Sequence, residues 1–177
     1  LIGQSFSDLI KISDCQSIRM CSEFEITKFE DKMKGMENTS LHAAQLVWYI
    51  TLQNRTKGHP DYGKYIWFGM NLWDNRYVGK VFPLYAALDG GTGALIYNTS
   101  STAYYPGGIV PNANTKIRVD YSILDIARTA YYYAVEHGYF GVTSFEDLYI
   151  GSTNFGFEVP GTYNVAVRID HIGIYYK

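Results

Sequence analysis

The chain alternates between apolar and polar positions over long stretches, broken by polar, glycine-bearing turns. From Ser17 to Phe29, Ile18, Met20, Phe24 and Ile26 fall on one side, and Arg19, Cys21, Glu23, Glu25 and Thr27 on the other. A period of two residues predicts a half-buried strand. Ala44 to Asn54 repeats the pattern, with Leu46, Trp48, Ile50 and Leu52 opposite Val47, Tyr49, Thr51 and Gln53. Lys64 to Arg76 is the strongest strand. Leu84 to Asp89 and Ala94 to Asn98 flank Gly90-Gly91-Thr92-Gly93 and read as a β-hairpin. Leu148 to Phe157 and Tyr163 to Tyr176 are the last strands, joined by a Pro160-Gly161 turn, with Tyr163, Val165, Val167 and Ile169 expected to face the core. Residues 1–16 read as irregular, and 30–39 and 99–111 as loops.

One segment changes period. Ile123, Ile126, Ala127, Ala130, Tyr131, Ala134 and Val135 follow helical spacing, which predicts an amphipathic helix near 122–137. Asp120 or Ser122 can cap its start and Gly138 can follow its end. Seven to nine strands, one helix, no internal repeat and no linker predict a mainly β fold. The expected architecture is an antiparallel β-sandwich of the jelly-roll or lectin-like kind, one domain over residues 1–177. A closed barrel is the alternative.

Composition narrows the function. A net charge of -2 offers no footprint for nucleic acid or an anionic membrane. No apolar run approaches the ~20 residues of a membrane span. The chain shows no leader segment and opens at Leu1, as a processed protein or an excised module would. Cys15 and Cys21 would lie roughly 20 Å apart on an extended chain, whereas a disulfide needs under ~7 Å, so they pair only if a turn near Asp14 to Ser17 intervenes. Asn38, Asn54 and Asn98 each head a glycosylation triplet.

The chemistry concentrates between Tyr65 and Asn75. In a strand, Ile66, Phe68, Met70 and Leu72 form one face, and Tyr65, Trp67, Gly69, Asn71, Trp73 and Asn75 the other. Indole and phenol rings stack on the C–H face of a pyranose, amides donate to and accept from its hydroxyls, and bare Gly69 leaves room for a ring. Tyr49 and Gln53 would join this face from the neighbouring strand if register permits. The competing reading places Trp67 and Trp73 under the helix as structural cover.

An enzyme would need more. Glycosidases use two carboxylates; Glu23 and Glu25 share a strand face, and Glu158 lies beside a tight turn where it can also pair with Arg168. Lyase chemistry could draw on His42, His59, His137 or His171 with the abundant tyrosines. No nucleophile elbow, phosphate loop or zinc signature is present.

The segment Trp67-Phe68-Gly69-Met70-Asn71-Leu72-Trp73-Asp74-Asn75-Arg76, with the closing Gly156-Phe157-Glu158-Val159-Pro160-Gly161-Thr162-Tyr163, resembles carbohydrate-binding modules and lectin-like sandwiches. The resemblance implies an extracellular or cell-surface module, non-catalytic, whose partner is a polysaccharide or oligosaccharide. It implies no cofactor beyond structural calcium, for which Asp61, Asp74 or Asp89 could supply ligands. A sandwich-fold glycoside hydrolase or polysaccharide lyase is the second reading, and a structural, adhesion or capsid-type domain the third.

Overall fold

Each run of alternation becomes a strand in the computed structural model, which describes residues 1–177. The strands are β1 (Ile2–Lys11), β2 (Ile18–Asp31), β3 (Gln45–Asn54), β4 (Tyr65–Asp74), β5 (Tyr85–Leu88), β6 (Leu95–Thr99), β7 (Lys116–Ser122), β8 (Leu148–Glu158) and β9 (Tyr163–Tyr176); the helix is α1 (Leu124–Glu136). They form a six-stranded sheet in the order β1-β8-β3-β4-β6-β5 and a three-stranded sheet in the order β7-β2-β9. This is a jelly-roll β-sandwich, as the pattern predicts. One pairing departs from the antiparallel expectation: β4 and β6 run parallel. The chain leaves β4, passes outside, returns as edge strand β5, and turns through the Gly90 to Gly93 hairpin into the slot beside β4.

Between the sheets, Ile18, Met20, Phe24 and Ile26 of β2 meet Leu46, Trp48, Ile50 and Leu52 of β3 and Ile66, Phe68 and Met70 of β4, all buried in one hydrophobic cluster. The helix closes the part of this core beyond the three-stranded sheet. Ala127, Ala130 and Ala134 are fully buried, small enough to bring the helix backbone close to its neighbours. Tyr133 meets Tyr97 edge-on, and Tyr97 stacks on Phe68. Phe68 belongs to the inner face of β4, so the helix lies on the opposite side of the sheet from Trp67, and the reading of Trp67 as cover for the helix is corrected. The buried stripe also falls differently from expectation: Ile126 is half-buried and Val135 exposed. Ile123, not Asp120 or Ser122, occupies the N-cap, because both candidates are paired into β7. Gly138 follows the helix with φ of 70°, the left-handed conformation that ends helices.

Two strands differ from the sequence reading. Residues 2–11, expected to be irregular, form edge strand β1 along β8; most of its side chains are exposed, so it lacks an apolar stripe and owes its form to the ladder. In β7, Ile117, Val119 and Tyr121 alternate with exposed Lys116, Arg118 and Asp120, but the strand abuts the helical run, which masks it. In β9, Ile169 is 38% exposed instead of lying in the core; register shifts along its pairing with β2 break the regular phase. Both cysteines are free.

Candidate active site

The outer face of the six-stranded sheet carries the site. Register places Asn154 of β8, Tyr49 of β3, Gly69 of β4, Asn98 of β6 and Tyr85 of β5 in one row across five strands. Thr51, Trp67, Ile96 and Ala87 form the next row. At the far end of β8, Glu158 pairs with Gln45 and shares its face.

Two cavities open on this face. One, of about 250 Å³, is lined by Tyr49, Trp67, Asp89, Thr92, Ile96, Asn154 and Glu158. Asp89 and Thr92 come from the tip of the β5–β6 hairpin, which therefore reaches over the sheet. The other, of about 420 Å³, includes Gln45, Arg76, Phe82, Tyr85 and Asn98, and shares Tyr49, Ile96 and Glu158 with the first. The walls combine aromatic rings, amides and carboxylates, the side chains that stack on sugar rings and bond their hydroxyls.

The two carboxylates are pushed in opposite directions. Burial raises the Glu158 carboxyl above its usual range, and the charge of Asp89 raises it further. Asp89 is lowered because Thr92 donates to Oδ2 twice, from Oγ1 at 2.5 Å and from its backbone N–H at 2.9 Å. A raised carboxyl that shares a cavity with a lowered one is the arrangement of an acid with an anionic partner.

Beneath the face, a polar network fixes the floor. Asn71 Nδ2 donates to Gln45 Oε1 and to Asp74 Oδ2, both at 3.1 Å. Asp74 also accepts from Arg76 Nε at 3.0 Å and Nη2 at 2.7 Å. This buried pair orients Gln45 and Arg76 along the second cavity.

The residues expected from sequence are distributed unevenly. Tyr49 and Trp67 line the first cavity with Glu158. Tyr65 is half-buried and lies edge-on to Trp67, with ring centroids 5.2 Å apart, outside both cavities. Asn71 is fully buried in the network and does not face a ligand. Trp73 is corrected outright. Leu46 lies opposite Trp73 while Val47 lies opposite Asn71, so a bulge at Leu72 reverses the phase and turns Trp73 inward. Trp73 is 1% exposed, packs edge-on against Phe29, and donates from Nε1 to the Pro111 carbonyl. Asn75 lies past the strand and accepts from the Ala44 N–H at 2.7 Å. Gln53 donates to the Gly63 carbonyl, which ties it to the β3–β4 loop.

Glu23 and Glu25 sit on the outer face of the other sheet. Glu23 is paired with Lys116 and Arg118, and Glu25 with Arg168 at 2.6 Å. Neither reaches the aromatic face. Arg168 also pairs with Asp170 and not with Glu158. The aspartates suggested for calcium are engaged by protein donors: Asp61 by the 141–143 backbone, Asp74 by Arg76, Asp89 by Thr92. No group of three or more His, Cys, Asp or Glu is placed to hold a metal ion. The sequence marks Asn98 only as the head of a glycosylation triplet, Asp89 only as a calcium candidate and residues 90–93 only as a turn, and it does not single out Asn154 or Thr92; none of them carries a local signal that it faces the cavity.

No protein-family profile and no curated protein matches the sequence. Solved structures do share the fold. A family 12 xyloglucanase from Bacillus licheniformis superposes with a TM-score of 0.57 at 14% identity, over 99% of this chain and 73% of that one. A cellulase derived from that of Rhodothermus marinus gives 0.56 at 14% identity, over 99% and 71%. Endoglucanase 3 of Trichoderma harzianum, from glycoside hydrolase family 12, gives 0.53 at 11% identity, over 99% and 69%. These are carbohydrate-active jelly-roll proteins, and all three are hydrolases. The expectation of a non-catalytic carbohydrate-binding module is overturned by this comparison, in which the structures that share the fold are hydrolases.

Proposed function

We propose that this chain is a glycoside hydrolase that cleaves a β-1,4-linked glucan, with Glu158 as general acid and Asp89 as its ionised partner. The observation that carries the reading is the shared cavity in which Glu158 is raised and Asp89 lowered, with Trp67 as an aromatic wall. Glu158 gives its proton to the glycosidic oxygen as the bond to the anomeric carbon breaks, and Asp89 faces the positive charge that develops there. Trp67 stacks on a sugar ring beside the break. The substrate class follows from the likeness to cellulases and a xyloglucanase, whose polymers share a β-1,4-glucan backbone. A polymer of this kind is met outside the cell, which fits an extracellular protein; no helix is long and apolar enough to cross a membrane.

The test is the release of reducing ends from carboxymethylcellulose and soluble xyloglucan. Glu158→Gln and Asp89→Asn should each abolish release while the protein stays folded and Glu158→Gln still binds xyloglucan. The anomer formed first, read by NMR, then assigns Asp89 as nucleophile if configuration is retained or as base if it is inverted. Full activity in Glu158→Gln would sink the assignment.

A further inference from the structure

Tyr49 sends its ring across the neighbouring strand. It lies opposite Gly69 on β4, and Gly69 lies beside Asn98 on β6. A Cβ at position 69 would sit 2.5 Å from Tyr49 Cδ1 and would also strike the Trp48 carbonyl oxygen. The gap at Gly69, expected to admit a sugar ring, is therefore filled by the protein's own phenol. The bare position lets that phenol reach β6, where Asn98 Nδ2 donates to its oxygen at 2.9 Å. Asn98 is 4% exposed, and its Oδ1 has no partner. Asn154, which flanks Tyr49 in register from β8, also has an unpartnered Oδ1.

The bond from Asn98 decides where the phenolic proton goes. An amide NH₂ can only donate, so the Tyr49 oxygen accepts from it and its own proton points elsewhere. No protein acceptor takes that proton, since the bond from Asn98 is the one the hydroxyl makes. Burial keeps the phenol protonated far above the usual tyrosine range. Tyr49 lines both cavities together with Glu158, so the free donor adjoins the space the acid reaches. A hydroxyl that accepts one hydrogen bond is a stronger donor of the next.

We propose that Tyr49, held across Gly69 by Asn98, is the substrate-positioning donor of this site, giving its hydroxyl proton to an oxygen of the sugar unit bound against Glu158. This rests on the reading of Glu158 as the acid. The sequence Tyr49–Gly69–Asn98 thus acts as one device drawn from three strands.

The experiment measures kcat and KM on carboxymethylcellulose and soluble xyloglucan for the wild type, Tyr49→Phe, Asn98→Ala and the double variant, with a thermal melt of each. Tyr49→Phe removes one oxygen and keeps the ring over Gly69. It should lower kcat/KM about tenfold or more, the worth of one lost hydrogen bond to substrate, with the melt shifted by no more than a few degrees. Asn98→Ala should lose a similar factor, and the double variant should be no worse than the weaker single, because both act through one proton. Tyr49→Phe alone decides the matter if Asn98→Ala fails to fold. Kinetics within twofold of wild type in Tyr49→Phe would overturn the proposal, the proton then being spent on Asn98. A wild type that releases no reducing ends from either polymer would remove the hydrolase reading and this inference together, whereas an active wild type with unchanged Tyr49→Phe removes only the inference.

Discussion

Trp67 and Trp73 stand on one strand and face opposite sides of it. The bulge at Leu72 separates them: Trp67 lines the outer cavity with Glu158, and Trp73 is sealed in the core against Phe29. Replacing each by Ala should therefore have different consequences. Trp73→Ala should cost about 3–5 kcal/mol of stability, the usual penalty for emptying a core aromatic site. Trp67→Ala should leave the melt nearly unchanged and weaken polysaccharide binding by about 2 kcal/mol, as loss of an aromatic anchor does. Chemical denaturation and affinity electrophoresis on xyloglucan gels separate the two; equal destabilisation by both would contradict the outward placement of Trp67.

Activity should follow a bell-shaped dependence on pH. Glu158 must be protonated, and its carboxyl is raised, so rate is lost only as pH climbs through that raised value. Asp89 must be ionised, and it is lowered, so rate is lost on the other side as pH falls through that lowered value. The two charges interact, and the limbs report the pair. Thr92→Val removes the Oγ1 donor to Asp89, which lets the Asp89 carboxyl rise toward its ordinary range. The acid limb of kcat/KM should then move to higher pH and narrow the optimum. An unmoved acid limb would show that Asp89 does not set it.

Asp61 clamps two loops together. Its Oδ2 accepts from the N–H groups of Gly141, Val142 and Thr143 and from Thr143 Oγ1, and Lys64 lies 3.0 Å from its Oδ1. The Val142 backbone bond leads the causes that hold this carboxyl well below the usual range. Asp61→Asn should cost about 2–3 kcal/mol at pH 7, since bonds to a charged acceptor are the strong ones. The folded carboxyl titrates below the unfolded value of about 3.9, so its contribution is complete above that pH and is lost as pH falls through the folded value. Urea midpoints of variant and wild type should therefore converge as the pH drops below about 4.

Glu25 should prove dispensable for chemistry. It is paired with Arg168 on the outer face of the three-stranded sheet. Glu25→Gln should leave reducing-end release at the wild-type rate and change stability by about 0–1 kcal/mol, the range of exposed ion pairs. A hundredfold loss of activity in a folded Glu25→Gln would move the site to the other sheet.

Most of the strands and their buried sides are legible along the chain alone. Alternation at Ile18 to Ile26, Leu46 to Leu52 and Ile66 to Met70 names core residues correctly, because each side chain's face follows from the pleat and needs no partner. The change of period at Ile123 identifies the helix for the same reason. Tyr49, Trp67 and Glu158 were also within reach, as aromatic or acidic positions on or near strands. The remainder depends on contacts between elements. A bulge is a property of two strands in register, and no period in one strand reveals the extra residue at Leu72 that sends Trp73 inward. The helix could have covered either face of β4; the core left open beyond the three short-sheet strands drew it to the inner one. That Asp89 lines the same cavity as Glu158 depends on the hairpin tip reaching over the sheet, which brings together parts of the chain with no local signal in common. Gly69 is a bare position in the sequence, and only the packing of the Tyr49 ring across it gives that bareness a purpose.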